Sequence, residues 1–128
     1  MRERVLDASV LMKWFEPGAN EASRLRAEFE AGDLTVLAPP MILLEVLNVA
    51  GRAWSWTESE PADLAAGLED LPLAIVEPPL AAVADWVARG VTAYDAAYLA
   101  VAQATGAALV TDDAVILAAA PTLTEPLA

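Results

Sequence analysis

Residues 92–113 have the sequence TAYDAAYLAVAQATGAALVTDD, which predicts a helix followed by a strand. Apolar residues recur at helical spacing up to Thr105, and Gly106 then ends the predicted helix. The next residues, ALV at 108–110, predict a short buried strand. Asp95 is the only charged residue of the helix, although burying an unpaired charge is costly. This carboxylate therefore needs either a local structural role or a function.

The alternation of helix and strand continues through the whole chain. It predicts an α/β fold in which a parallel sheet of four to five strands is covered by helices on both faces, a three-layer sandwich. The other predicted strands are RVL (4–6), LTVLA (34–38), LAIV (73–76) and an edge strand at TLTE (122–125). The other predicted helices are SVLMKWF (9–15), NEASRLRAEFEAG (20–32, capped by Asn20 and stopped by Gly32), PPMILLEVLNVAGRAW (39–54, with proline in its first turn), SEPADLAAGLEDL (59–71), PLAAVADWVARG (79–90) and DAVILAAA (113–120).

Length and composition limit the possible chemistry. A chain of 128 residues is the usual size of one domain, so we expect a single domain over residues 1–128. Histidine and cysteine are both absent, which excludes disulfides, thiolate or histidine metal sites, and Ser-His-Asp catalysis. Neither a membrane-spanning run nor a secretion signal is recognisable, and we expect a cytoplasmic protein without membrane contact.

The charge balance argues against a generic basic nucleic-acid binder. The formal net charge is -12, and all seven Lys and Arg residues lie at or before Arg89. If the protein handles a polyanion, something other than bulk charge must hold it.

Several acids lie where a parallel sheet would bring them together. Asp7 follows the first strand, the Asp112-Asp113 pair follows the strand at 108–110, and Glu45 and Asp95 lie in helices entered near the same edge. Each acid also has an ordinary alternative role. Asp7 and one acid of the pair suit helix N-caps, Asp95 suits a capping box with Thr92, and Glu45 suits a solvated helix face.

The functional interpretation depends on convergence of these acids. If the first and fourth strands are neighbours and the second and third lie beyond the first, the strand order reverses between Asp7 and Asp113. In such sheets the functional crevice lies at that reversal, outside the carboxyl ends of the strands. Clustered carboxylates repel one another unless a cation is present, and Mg²⁺ prefers oxygen ligands. The sequence thus predicts a divalent metal site that needs neither histidine nor cysteine.

Four segments, in order, resemble the PIN-domain family, and within it the VapC-type toxins of toxin-antitoxin pairs. They are VLDASVLMKWF (5–15), PPMILLEVLNVAGRAW (39–54), GVTAYDAAYLAVAQATG (90–106) and AALVTDDAVIL (107–117). The resemblance covers essentially the whole chain. It assigns the four family acids to Asp7, Glu45, Asp95 and Asp113, with Ser9, Asn48 and Thr111 beside them.

The resemblance implies a PIN-like fold and an endoribonuclease that hydrolyses RNA with Mg²⁺- or Mn²⁺-activated water. Asp7, Asp95 and Asp113 would hold the metal, and Glu45 would ligate it or orient the water. Supporting roles fall to Ser9, Asn48, Thr111 and Asp112, and which acid of the 112–113 pair faces the metal stays open. A homodimer and a VapB-like antitoxin partner are also implied.

This sequence departs from many relatives in having no basic residue just after the fourth acid. RNA contact or solubility are the alternative roles of Lys13, Arg24, Arg26, Arg52 and Arg89. The tryptophans suit core packing better than base stacking, and exposed contacts with a partner are expected at Trp54 and Trp56. Two further functions stay open: a non-catalytic interaction module, and a metal-dependent phosphohydrolase of small phosphate esters.

Overall fold

A computed structural model describes residues 2–54 and 60–127 of the chain. Five strands form one sheet in the order β3-β2-β1-β4-β5, and every neighbouring pair is parallel. The predicted fold class is confirmed, including the reversal of strand order between the first and fourth strands. The strands are β1 (Arg2–Leu6), β2 (Leu34–Ala38), β3 (Ala74–Ile75), β4 (Ala108–Thr111) and β5 (Thr124–Pro126).

The described helices alternate with these strands as predicted. None of them combines the length and the hydrophobicity needed to cross a membrane. They are α1 (Ala8–Leu11, continued by a 3-10 turn at Met12–Phe15), α2 (Ser23–Glu30), α3 (Ile42–Ala53), α4 (Glu60–Glu69), α5 (Leu80–Ala88), α6 (Ala93–Thr105) and α7 (Ala114–Ala119).

The direction of the crossovers distributes the helices over both faces of the sheet. The connections from β1 to β2 and from β2 to β3 move one way across the sheet, whereas those to β4 and β5 move the other way. Because parallel crossovers are right-handed, opposite directions place their helices on opposite faces. On one face α1 packs on α3 and α3 on α4, and on the other face α5 packs on α6.

Two helix starts differ from the sequence-based expectation. Helix α2 begins at Ser23 with Ala22 at the N-cap position, so the prediction of Asn20 as the cap is wrong. The Asn20 side chain instead accepts a hydrogen bond from the Ala22 amide at 2.9 Å, which tightens the preceding turn. The prolines at 39–40 precede α3 and do not lie in its first turn, since the helix starts at Ile42.

Helix α6 and strand β4 form the centre of the fold. Thr92 caps the helix, and Gly106 ends it in the left-handed region at φ +77°, where a Cβ atom would be strained. The chain then enters β4, which lies between β1 and β5. Leu99 of the helix and Leu109 of the strand are both fully buried in one core.

We predict that Leu109→Ala lowers the free energy of unfolding by about 3 kcal/mol, because a large-to-small change in a packed core leaves a cavity. Leu109 is 0% exposed, whereas Leu80 is 81% exposed. The matched change Leu80→Ala should therefore alter stability by no more than roughly 0.5 kcal/mol. Urea unfolding monitored by circular dichroism measures both values, and equal effects of the two substitutions would contradict this account of the core.

Candidate active site

The pairing of β1 with β4 brings Asp7 and Asp113 to one edge of the sheet. Leu6 at the end of β1 lies in register with Val110 of β4. Asp7 follows β1 directly, and Asp113 follows Thr111 at the end of β4 by two residues. Both carboxylates thus leave the carboxyl ends of neighbouring strands, at the reversal of strand order where such sheets place their functional crevice.

Asp7 is a helix cap and a buried acid at once. Its Oδ1 accepts a 2.7 Å hydrogen bond from the Ser9 hydroxyl and a 3.0 Å bond from the Val10 amide, which caps α1. The residue is only 6% exposed, and burial raises the pKa of its carboxyl group, although hydrogen bonds from Thr111, Ser9 and Val10 oppose the rise. Asp7 therefore caps a helix as expected from the sequence, but it is buried, which is unusual for an N-cap aspartate.

The two adjacent acids after β4 have different surroundings. Asp113 caps α7, and its Oδ1 accepts hydrogen bonds from the amides of Val115 at 2.9 Å and Ile116 at 3.3 Å. Asp112 instead accepts a 2.9 Å bond from the Lys13 ammonium group, which also bonds Glu21 at 2.6 Å. The positive charge of Lys13 therefore compensates the negative charge of Asp112.

Glu45 and Asp95 complete the acidic group. Burial raises the pKa of Asp95, and the negative charges of Asp113 and Asp7 raise it further, against a hydrogen bond with Thr92. Burial also raises the pKa of Glu45, with additional repulsion from Asp95 and Asp7. Each of the four acids thus lies within electrostatic range of another, and Asp95 interacts with the other three.

Tyr98 belongs to the same environment, although it was not singled out from the sequence. It is 1% exposed, and burial and the charges of Glu45 and Asp7 raise the pKa of its hydroxyl far above the ordinary value. The hydroxyl is near enough to Glu45 to lower the pKa of that carboxyl group. Among the described residues, however, neither the hydroxyl nor Glu45 Oε1 completes a hydrogen bond of ordinary geometry. A tyrosine in an apolar helix stripe, three residues after Asp95, was the available signal, because a buried phenol usually has a polar partner.

An open groove of about 610 Å³ begins at Glu45 and Asp95 and runs between α3 and the start of α6. Glu45 and Asp95 line it together with Asn48 and Arg52, which lie one and two turns further along α3. Its residues from α6 and the preceding turn are Thr92 and Tyr94 as well as Asp95, and its apolar residues are Met41, Leu44 and Val49.

The described residues contain no group of three acidic side chains already arranged around a single point as a metal cage. This finding is compatible with Mg²⁺, which is usually held by one or two carboxylates and keeps several waters. The donor set is also suitable, because it consists of carboxylates with neither histidine nor cysteine. Raised pKa values caused by burial and mutual repulsion are the condition that a bound cation would relieve.

Most of the other residues considered for contact with RNA have partners within the protein. Lys13 bonds two acids, and Arg26 bonds Glu30 and the Trp14 carbonyl. Arg89 lies over the Trp86 ring at 4.6 Å from its centroid.

The tryptophans are mainly part of the core, as expected. Trp14 and Trp86 are buried, and Trp14 packs against Phe29. Trp54 is half-buried and packs against the core, so the expectation of an exposed contact there is not met. Trp56 lies outside the described residues.

Comparison with solved structures shows the same fold in other proteins. The chain is similar to PAE2754 from Pyrobaculum aerophilum, with a TM-score of 0.71 and 24% identity over 98% of this chain and 90% of that chain. It is also similar to FitAcB from Neisseria gonorrhoeae, with a TM-score of 0.66 and 19% identity over 94% of each chain. FitAB bound to an IR36 DNA fragment gives a TM-score of 0.66 and 17% identity over 96% of this chain and 94% of that one. No curated protein matches the sequence.

The family model of the PIN domain matches residues 4–121, which include all four acids, residues 4–6 of β1 and the whole of β2, β3 and β4. This match covers most of the chain and agrees with the sheet order and the resemblance described above. The chain belongs to the PIN domain family, whose members are generally nucleases.

Proposed function

We propose that this protein is a metal-dependent endoribonuclease and the toxin of a toxin-antitoxin pair. One observation carries the catalytic part of the proposal. Asp7, Glu45, Asp95 and Asp113 come from four separate segments and interact electrostatically at one edge of the sheet, although this arrangement raises the pKa of three of them. A fold gains no stability from crowding carboxylates, so a bound cation and substrate are the natural reason for the arrangement.

Asp7, Asp95 and Asp113 are the residues proposed to hold the metal, directly or through bound water. Mg²⁺ or Mn²⁺, when bound, supplies an acidified water and neutralises charge on the phosphate that is attacked. Asp113 is preferred to Asp112, because it interacts with Asp95 whereas Asp112 is bonded to Lys13. Asp112 and its lysine then support the site from outside the ligand set.

The remaining polar residues orient the reacting groups. Ser9 and Thr111 donate hydrogen bonds to Asp7 and fix its carboxylate. Glu45 Oε1 has no hydrogen-bond partner among the described residues, so it can accept a proton from the attacking water. Tyr98 lies beside Glu45, where its hydroxyl lowers the pKa of that carboxyl group. Asn48 lies one turn further along α3 and lines the groove, where it is proposed to contact the substrate.

We predict that Asp7→Asn and Asp95→Asn each reduce RNA cleavage at least about 100-fold and weaken Mn²⁺ binding, because each removes one charged ligand. Asp85→Asn is the matched control, since Asp85 is exposed on α5 away from the acidic group. Gel assays with an RNA substrate and titration calorimetry with Mn²⁺ measure the two effects. Cleavage that persists in both variants, or in excess EDTA, would reject the proposal, and cleavage of small phosphate esters without RNA cleavage would favour the phosphohydrolase.

The raised pKa of Asp7 gives a prediction about stability in the absence of metal. Its ordinary pKa is 3.8, and burial places the folded-state value above this. The buried charge therefore destabilises the fold at neutral pH, and this cost disappears as the pH falls through the folded-state pKa. Asp7→Asn should raise the melting temperature at pH 7 in EDTA, and the difference from the wild type should shrink towards pH 4.

Calorimetric scans of the wild type and of Asp7→Asn between pH 4 and pH 8 test the sign of this melting-temperature difference. Taking the difference between the two proteins cancels the titration of all other groups. Saturating Mg²⁺ should raise the melting temperature of the wild type but not that of Asp7→Asn, by ligand linkage. A difference between the proteins that is independent of pH would contradict the assignment of the effect to a buried charge.

The toxin assignment depends on the VapC-like resemblance and on the structural similarity to FitAB, which was determined bound to DNA. A chain with a formal net charge of -12 repels DNA, so any DNA binding by such a complex must come from a partner. We therefore propose a VapB-like antitoxin with a basic DNA-binding part, and a homodimeric toxin. Both this partner and the RNA substrate belong in the cytoplasm.

We predict that the product of a short reading frame immediately upstream forms a stable complex with this protein and inhibits its RNA cleavage at about one partner per toxin chain. Co-expression followed by size-exclusion chromatography and the RNA gel assay measures complex formation and inhibition. An upstream product that neither binds nor inhibits would remove the support for the toxin assignment and leave the nuclease assignment to its own test.

A further inference from the structure

We propose that the groove between α3 and α6 binds single-stranded RNA at two defined points, a backbone phosphate on Arg52 and a base on Tyr94. Both residues line this groove together with Glu45 and Asp95. The inference rests on the proposed ribonuclease function and adds the residues that hold the substrate beside the acids.

Arg52 has the position required for a phosphate contact. It follows Glu45 by seven residues on α3, which places it two turns, or roughly 10 Å, along the same side of the helix. A strand with one phosphate at the acids can extend along the groove and bring a later phosphate to this guanidinium group. Arginine suits this contact, because its planar donors match phosphate oxygens.

The charge of Arg52 is available. Among residues 2–54 and 60–127, no carboxylate forms an ion pair with Arg52, whereas Lys13 is paired with both Glu21 and Asp112. Within the described part of the chain, Arg52 is also the only basic residue lining the groove. A polyanion that approaches the carboxylates of Glu45 and Asp95 needs a local attraction, and among these lining residues Arg52 supplies it.

Tyr94 provides a stacking surface at the other wall of the groove. It precedes Asp95 at the start of α6, and it is 65% exposed although residues 96–102 of the same helix are buried. An exposed ring beside a nuclease site can stack on an unpaired base of any sequence. Its position therefore explains an exposed aromatic residue that the fold does not use for packing.

The combination favours single strands over duplexes. Stacking on Tyr94 requires a base that is not paired, and the bases of an A-form duplex are covered by their neighbours. An acidic protein with a single basic side chain among the described residues of the groove also lacks the repeated phosphate contacts by which duplex RNA is held.

Binding can be measured apart from cleavage in a Glu45→Gln background, which removes the proposed proton acceptor and keeps Asp7, Asp95 and Asp113. The probe is a labelled single-stranded RNA of about 8 nucleotides with Mg²⁺ present, followed by fluorescence anisotropy over a series of KCl concentrations. Arg52→Ala and Tyr94→Ala are the test variants, and Tyr94→Phe keeps the ring. The matched control is Arg24→Ala, which makes the same change in net charge at an exposed arginine of α2 that lines a different cavity.

The two contacts give different signatures. Arg52→Ala should weaken binding about tenfold and reduce the slope of log affinity against log salt by about 0.7, the value for one phosphate of a single strand. Tyr94→Ala should weaken binding by roughly tenfold with an unchanged slope, and Tyr94→Phe should bind like the parent. An unlabelled duplex of the same sequence should compete poorly.

Equal affinity and slope for Arg52→Ala and Arg24→Ala would overturn the phosphate contact, and equal affinity of Tyr94→Ala and the parent would overturn the base contact. In both cases RNA cleavage by the wild type would leave the proposed function intact. If the wild type neither binds nor cleaves RNA, the proposed function and this inference fail together.

Discussion

The parallel pairing of β1 with β4 is the contact on which the rest of the site depends. It places Leu6 in register with Val110, and so brings the ends of two strands that are distant in sequence to one point. Helix α3 lies between β2 and β3 in the chain and helix α6 precedes β4, and the two helices lie on opposite faces because the crossovers change direction at β1. Glu45 and Asp95 therefore approach the same edge from two sides, and the groove between the helices opens beside them.

Two carboxylates of the candidate site also form the N-terminal caps of helices. Asp7 caps α1 and Asp113 caps α7, so the hydrogen bonds that satisfy the helix starts also fix the directions of two carboxylates. Each bond uses Oδ1, which leaves the second oxygen of each acid free of the cap. A capping role and the proposed functional role are thus compatible, because an N-cap holds an acid rigidly at the end of a strand.

Patterns of neighbouring residues predicted most elements and the parallel α/β fold class well, since periodicity and glycine stops are local properties, whereas the strand order entered only as a condition that the structure meets. They failed at Asn20, where the side chain turns back onto the Ala22 amide and the helix starts later. They also could not separate Asp112 from Asp113, because the distinguishing contact is a bond from Lys13, 99 residues away in sequence. Tyr98 was missed for the same reason, since its relation to Glu45 joins two helices.

The strongly negative charge of this chain constrains how the RNA substrate proposed above could be held. Nonspecific attraction normally comes from many weak phosphate contacts, and a protein with seven basic residues, several of them paired with acids, has few to offer. Affinity must then come from a small number of contacts close to the acids, each with a large share of the total. Such a site discriminates by geometry, because a substrate that misses one contact has no diffuse attraction to replace it.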